Sequence, residues 1–144
     1  MKIITFSLIL FTLFNCEKPQ PNFLFIVVDD LGYRDLSVTG SDFYETPNID
    51  KIAQEGTLFT QGYSNASVCS PSRASLLTGV YPTVHGITDW IGARYGTEWR
   101  DVGRKTQLLP SEYLKHLPFE MTTLPEVFKA QKYKTFFAGK WHLG

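Results

Sequence analysis

The chain reads as an α/β domain built round a mostly parallel sheet, and three features carry that reading. Asn22 to Val28 is an apolar run that ends in Asp29-Asp30. A stretch apolar on both faces belongs in the middle of a sheet covered by helices on each side. Two helices with written-in stops follow, at Thr46–Gly56 and around Cys69–Gly79. The order along the chain is strand, helix, strand, helix, helix, strand, the alternation of α/β folds.

Each element has its own signal. In the first helix Thr46 is the expected cap, Pro47 the first helical residue and Gly56 the stop, with Ile49, Ile52 and Ala53 as the apolar face. Thr57 to Phe59 reads as a short strand. Cys69-Ser70-Pro71-Ser72-Arg73-Ala74-Ser75-Leu76-Leu77-Thr78-Gly79 reads as a loop turning into a helix, with Ser70 as cap, Pro71 at the first helical position and Gly79 as stop. Thr123 and Glu126 have capping-box spacing and open a helix through Ala130. Tyr133 to Ala138 reads as another strand, running into Gly139-Lys140-Trp141-His142-Leu143-Gly144.

Bulk composition narrows the partners. The 144 residues carry 14 Lys+Arg and 14 Asp+Glu, so no net charge points to nucleic acid or to an anionic membrane. Hydrophobic content of 43% with 15% aromatics is that of a globular domain. With two cysteines, each in a distinct context, an internal disulfide is not expected. Met1-Lys2 followed by Ile3 to Phe14 fits a signal-peptide core, being shorter than the about 20 apolar residues a bilayer span needs. Residues 1–16 are therefore expected to direct export to the periplasm or cell surface, and residues 17–21 to be a spacer before a domain at 22–144. Leu13-Phe14-Asn15-Cys16 resembles a bacterial lipobox, with Asn15 where a small residue is usual, which makes Cys16 a candidate lipid anchor.

The candidate chemistry gathers at element ends. Asp29 and Asp30 close the first strand, where α/β sheets place their ligands. Two converging carboxylates invite a hard divalent cation, although such a pair also suits a capped turn. A bend at Leu31-Gly32 is expected after them. Cys69 lies beside a helix N-terminus, and Arg73 stands one turn on, so both can serve one oxyanion. In an extended segment Lys140 and His142 share a face, while Trp141 takes the other and anchors in the core. His85, alone in a turn, reads as a structural hydrogen-bonding group. Trp90, Tyr95 and Trp99, with Arg94, Arg100, Arg104 and Lys105, suit either a sugar-binding loop or a solvated loop with anchoring aromatics.

Several of these stretches resemble one family. Cys69-x-Pro71-x-Arg73 followed by Leu76-Leu77-Thr78-Gly79 resembles the signature of the type I, formylglycine-dependent sulfatases. Asp29-Asp30-Leu31-Gly32-Tyr33 resembles their first metal motif, with Arg34 where Gly is usual. Thr46-Pro47-Asn48-Ile49-Asp50 and Gly139-Lys140-Trp141-His142-Leu143-Gly144 are similar to two further motifs, and Lys132 stands where the family tends to have Gly. The resemblance covers residues 22–91 and 122–144.

It implies an alkaline phosphatase-like sandwich, incomplete here, and an arylsulfatase-like sulfuric ester hydrolase. It implies that a maturation enzyme oxidises Cys69 to Cα-formylglycine, whose hydrated aldehyde attacks sulfur and later re-forms to release sulfate. Asp29, Asp30 and the modified Cys69 would bind one Ca²⁺. Arg73 would steady the formylglycine, Lys140 would bind a sulfate oxygen, and His142 would hydrogen-bond the formylglycine and act as base. The implied substrate is a sulfated carbohydrate or aryl sulfate. The further metal ligands, Lys and His of the family lie outside these residues, so the segment alone is expected to bind metal weakly and to turn over little. Two other readings stay open: a phosphoester or phosphonate hydrolase of the same superfamily, and a non-catalytic remnant that binds glycans.

Overall fold

A computed structural model describes residues 20–144. The expected leader over 1–16, with its candidate anchor at Cys16, and most of the spacer lie outside them. Five helices are present among the described residues: α1 (Pro47–Glu55), α2 (Cys69–Thr78), α3 (Pro82–His85), α4 (Glu98–Asp101) and α5 (Leu124–Ala130), with 3-10 turns at Tyr33–Asp35 and Ser37–Thr39. None of them is long and apolar enough to cross a membrane.

No backbone ladder forms among the described residues, so the expected sheet is not assembled within them. Phe23 to Val28, Thr57 to Phe59 and Tyr133 to Ala138 run without pairing. A strand exists only through its neighbours, and an apolar run has nothing to pair with until they are in place. Leu24 is 86% exposed and Ile26 66%, which contrasts with the buried central strand that their sequence describes. Phe23 packs at 4.9 Å from the Phe128 ring and 5.8 Å from Tyr133, tying the first segment to α5.

The helices follow their sequence signals with informative shifts. α1 keeps its bounds, but the Thr46 hydroxyl does not cap it. That hydroxyl instead bonds Asp50 Oδ1 at 2.9 Å and Ser37 Oγ at 2.8 Å, and Ser37 in turn donates to Asp50 Oδ2 at 2.7 Å. The expected apolar face of α1 remains largely in solvent, with Ile52 66% exposed. α2 starts two residues before its expected first residue, Pro71. Val68 is its N-cap and Cys69 its first residue, so Ser70 is not the cap. Pro71 sits at the third helical position, where its missing N–H would be unpaired in any case. Gly79 ends α2 as expected, at φ 73, a left-handed conformation open to glycine at no steric cost. In α5 the Glu126 carboxylate accepts the Thr123 N–H and hydroxyl, both at 2.7 Å, the expected box.

The core sits on α2. Ala74, Ile87 and Leu143 are buried against one another, with Leu77, Ile91 and Leu117 packed around them. Leu117 donates its N–H to the Leu143 carbonyl at 2.9 Å, which fastens the last segment to this cluster. His85 is buried as the structural group its context predicts. Its Nδ1 accepts the Ile87 N–H at 3.1 Å, so its proton is on Nε2, which faces Ser75 Oγ at 3.2 Å. Burial holds its pKa below the ordinary 6.5. A depressed cation pKa makes stability full above about pH 6.5 and lowers it as pH falls below that value. His85→Leu leaves the Ile87 N–H unpaired and is expected to cost about 1–3 kcal/mol in denaturant unfolding, and to remove this acid-side decline.

Candidate active site

Three distant segments meet at the first turns of α2. Arg73, with its side chain only 12% exposed, reaches two of them. Its Nη2 donates to Asp29 Oδ1 at 3.0 Å and its Nη1 to the Lys140 carbonyl at 2.5 Å. Lys140 Nζ completes the triangle on Asp29 Oδ2 at 2.5 Å. Asp29 is thus held between two cations. The hydrogen bond from Lys140, then that from Arg73, keeps its carboxyl below the usual carboxylate value. Lys140 is shifted up in turn, mainly by Asp29. Cys69 lies near enough that its anionic form also favours the Lys140 cation. Cys69 itself is free and half-buried.

His142 enters by another route. It adopts φ 55, so residues 140–142 do not alternate as an extended strand would. The predicted core anchor Trp141 is 40% exposed and packs edge-on against Phe137, while Leu143 fills the core instead. His142 Nε2 donates to the Ile91 carbonyl at 2.9 Å, and the Ile91 N–H donates to Ser70 Oγ at 2.9 Å. Ile91 therefore holds His142 beside the residue that follows Cys69.

Two buried polar atoms at this place have no protein partner: Arg73 Nε, a donor, and His142 Nδ1. Because His142 Nε2 carries the hydrogen, Nδ1 is a bare acceptor. Unpaired buried groups are costly. A group that both accepts and donates hydrogen bonds would suit the two. A thiol does this poorly, since its S–H is a weak donor and its sulfur a weak acceptor. A hydrated aldehyde, with two hydroxyls, does it well.

Asp30 sits at φ 57, so the chain turns at Asp30 itself rather than at Leu31-Gly32. Its carboxylate makes no hydrogen bond or ion pair among the described residues. These two carboxylates suit a hard cation by donor type, but no cluster of three acidic, His or Cys ligands exists among the described residues. Such an ion takes about six to eight oxygens. Here it would also have to share Asp29 with Arg73 and Lys140.

The sequence brought Asp29, Cys69, Arg73, Lys140 and His142 forward, and the fold gathers them. It did not foresee Asp29 as the hub of two cations, nor the Ile91 carbonyl and Ser70 hydroxyl as positioning groups. No sequence signal marks a carbonyl 51 residues away from the imidazole it holds.

Side chains from three distant segments thus meet at the start of α2, and the comparisons with known proteins place the chain in a class: it belongs to the sulfatase family, whose model matches residues 21–144. It is 41% identical over 127 residues to the N-acetylgalactosamine-6-sulfatase of Homo sapiens, covering 88% of this chain and 22% of that protein. It is 43% identical over 124 residues to arylsulfatase A of Bos taurus, covering 86% and 21%. It is also 40% identical over 126 residues to the steryl-sulfatase of Rattus norvegicus, covering 88% and 20%. The chain thus spans about a fifth of the length of the curated relatives it matches.

Proposed function

We propose that this chain is the catalytic-motif portion of an exported sulfuric ester hydrolase that works through a formylglycine made from Cys69. The observation that carries the reading is the meeting of Asp29, Arg73 and Lys140 at the first turns of α2, whose first residue is Cys69, together with two buried polar atoms that lack a partner, Arg73 Nε and His142 Nδ1. The two relatives named for an amino-sugar sulfate and an aryl sulfate support a sulfated carbohydrate as substrate over a phosphoester.

Made from Cys69, a hydrated formylglycine would supply an oxygen nucleophile in place of the thiol. A Ca²⁺ held by Asp29 and Asp30 would supply Lewis acidity. The chain's own groups do the rest. Arg73 donates through Nε and fixes the nucleophile's hydroxyl against α2. Lys140, released in part from Asp29, turns its ammonium to a sulfate oxygen and stabilises charge that grows there in the transition state. His142 is held in one tautomer by the Ile91 carbonyl, so Nδ1 stands ready to take a hydroxyl proton. The α2 N-terminus adds a positive dipole end to the same anion.

Three further proposals rest on sequence. Phe23 to Val28 and Tyr133 to Ala138 are strands of an alkaline phosphatase-like sheet. Residues 1–16 direct export to the periplasm or cell surface, with Cys16 as the site of lipidation. A formylglycine-generating enzyme reads Cys69-x-Pro71-x-Arg73.

The test is the mass of the Cys69 peptide from the expressed gene product, together with its ester preference. Conversion of thiol to aldehyde lowers the mass by about 18 Da. Hydrolysis of p-nitrophenyl sulfate well above p-nitrophenyl phosphate is expected. An unmodified Cys69 with phosphate ester preferred would overturn the proposal.

A further inference from the structure

Residues 94–109 leave the site and return to it through a closed neck. Gly96 donates its N–H to the Pro110 carbonyl at 3.0 Å. The Tyr113 hydroxyl lies 2.9 Å from the Trp90 carbonyl and 2.8 Å from that of Ala93. The same neck holds Ile91, which bonds Ser70 and His142. The excursion is therefore anchored on the residues that flank Cys69, the usual way a functional loop is mounted on a fixed base.

Its tip is cationic. Arg100, Gly103, Arg104, Lys105, Thr106 and Gln107 curl round an open cavity of about 420 Å³. Gly103, at φ 76, reverses the chain so that Arg104 and Lys105 come back beside Arg100. Arg100 shares α4 with Glu98 and Asp101, yet none of the three cations makes an ion pair among the described residues. Trp99 and Tyr95 do not present free platforms for a sugar. Arg104 covers the Trp99 ring at 5.0 Å from its centroid, and Lys115 covers Tyr95 at 4.8 Å. A guanidinium stacked by its face keeps its in-plane N–H donors free and has already lost much of its rotamer freedom. The three cations outnumber the two carboxylates of α4 and leave the curl net positive, which favours an anion there.

We propose that this curl is a second anion subsite, which takes a sulfate or carboxylate of a polyanionic glycan other than the ester group at Cys69. Arg104 offers a preorganised fork, and Arg100 and Lys105 close on the same oxyanion. As a statement about substrate it rests on the sulfatase reading, and it extends that reading from one sulfate ester to a multiply charged chain.

The test uses a heparin-derived hexasaccharide as probe, titrated against the chain and followed by tryptophan fluorescence. The triple variant R100Q/R104Q/K105Q is expected to lose about tenfold or more in affinity and to show a weaker salt dependence, with helix content by circular dichroism unchanged. R104K, which keeps the charge without the planar fork, is expected to lose part of the affinity. Because the triple change could disturb the loop, R104Q alone is measured beside it and must weaken binding too. Unaltered hexasaccharide affinity in either variant would overturn the proposal, as would duplex DNA binding as tightly as the hexasaccharide. In the expressed gene product the ratio of kcat/KM for a polysulfated oligosaccharide to that for p-nitrophenyl sulfate should fall about tenfold in the triple variant. No turnover of p-nitrophenyl sulfate by the unsubstituted protein would refute the sulfatase reading, while the fluorescence titration still decides the loop.

Discussion

Cys69→Ala is expected to lower sulfate ester hydrolysis by about 10³-fold or more in the expressed gene product, the scale of losing a nucleophile while binding groups stay. The change removes the thiol that oxidation to an aldehyde requires, so no oxygen nucleophile can form at this position. It should hardly disturb the fold. Cys69 is the first residue of α2, is only half-buried, and alanine is the best helix former. The check is kcat on p-nitrophenyl sulfate beside far-ultraviolet circular dichroism. A variant that keeps its helix content and a rate near the unsubstituted one would contradict the assignment of Cys69.

Asp29→Asn is expected to have the second largest effect, through two roles at once. The carboxylate joins Arg73 of α2 to Lys140 of the last segment, with contacts of 3.0 Å and 2.5 Å. It is also one of two proposed cation ligands. The amide keeps the shape but not the charge, so both cations lose their shared partner and the metal loses an anionic donor. We expect kcat/KM to fall by about 10²–10³-fold. We also expect affinity for a luminescent Ca²⁺ substitute such as Tb³⁺ to fall by about 10- to 100-fold. Asp30→Asn should weaken the ion similarly without freeing Arg73 or Lys140, since Asp30 makes no contact with either. Equal effects of the two variants on rate and on Tb³⁺ would mean that the Asp29 hub adds nothing beyond its metal role.

The competition for Asp29 has a consequence for the chain alone. Its carboxylate is already neutralised by two cations, and no third ligand stands near among the described residues. The segment should therefore bind Ca²⁺ weakly in calorimetry, as its donor count implies.

Much of the site could be read from the sequence because its chemistry is written in short runs. Asp29-Asp30, Cys69 to Gly79 and Gly139 to Gly144 each name a residue type and a spacing, and backbone geometry converts spacing into proximity within a turn of helix. α1, α2 and α5 were legible for the same reason: their caps and stops are local. The offsets are instructive. Ser70 has the chemistry of a cap, yet its hydroxyl goes to Ile91, because a tertiary donor was at hand and the helix could begin earlier. Trp141 was expected in the core on the alternation of an extended strand. His142, at φ 55, breaks that alternation, and Leu143 takes the buried place.

By itself, then, the sequence determined where α1 and α5 lie and where α2 stops, and it named the side chains that meet at the start of α2. Only the tertiary structure decided that Asp29 binds two cations, that the Ile91 carbonyl fixes the tautomer of His142, and that Arg104 lies on Trp99. Those facts depend on contacts between residues tens of positions apart, and no local propensity encodes which distant partner a charge will meet. The sheet shows the same limit. An apolar run announces a strand, but a strand is a relation between chains of hydrogen bonds, and it forms only where its neighbours stand.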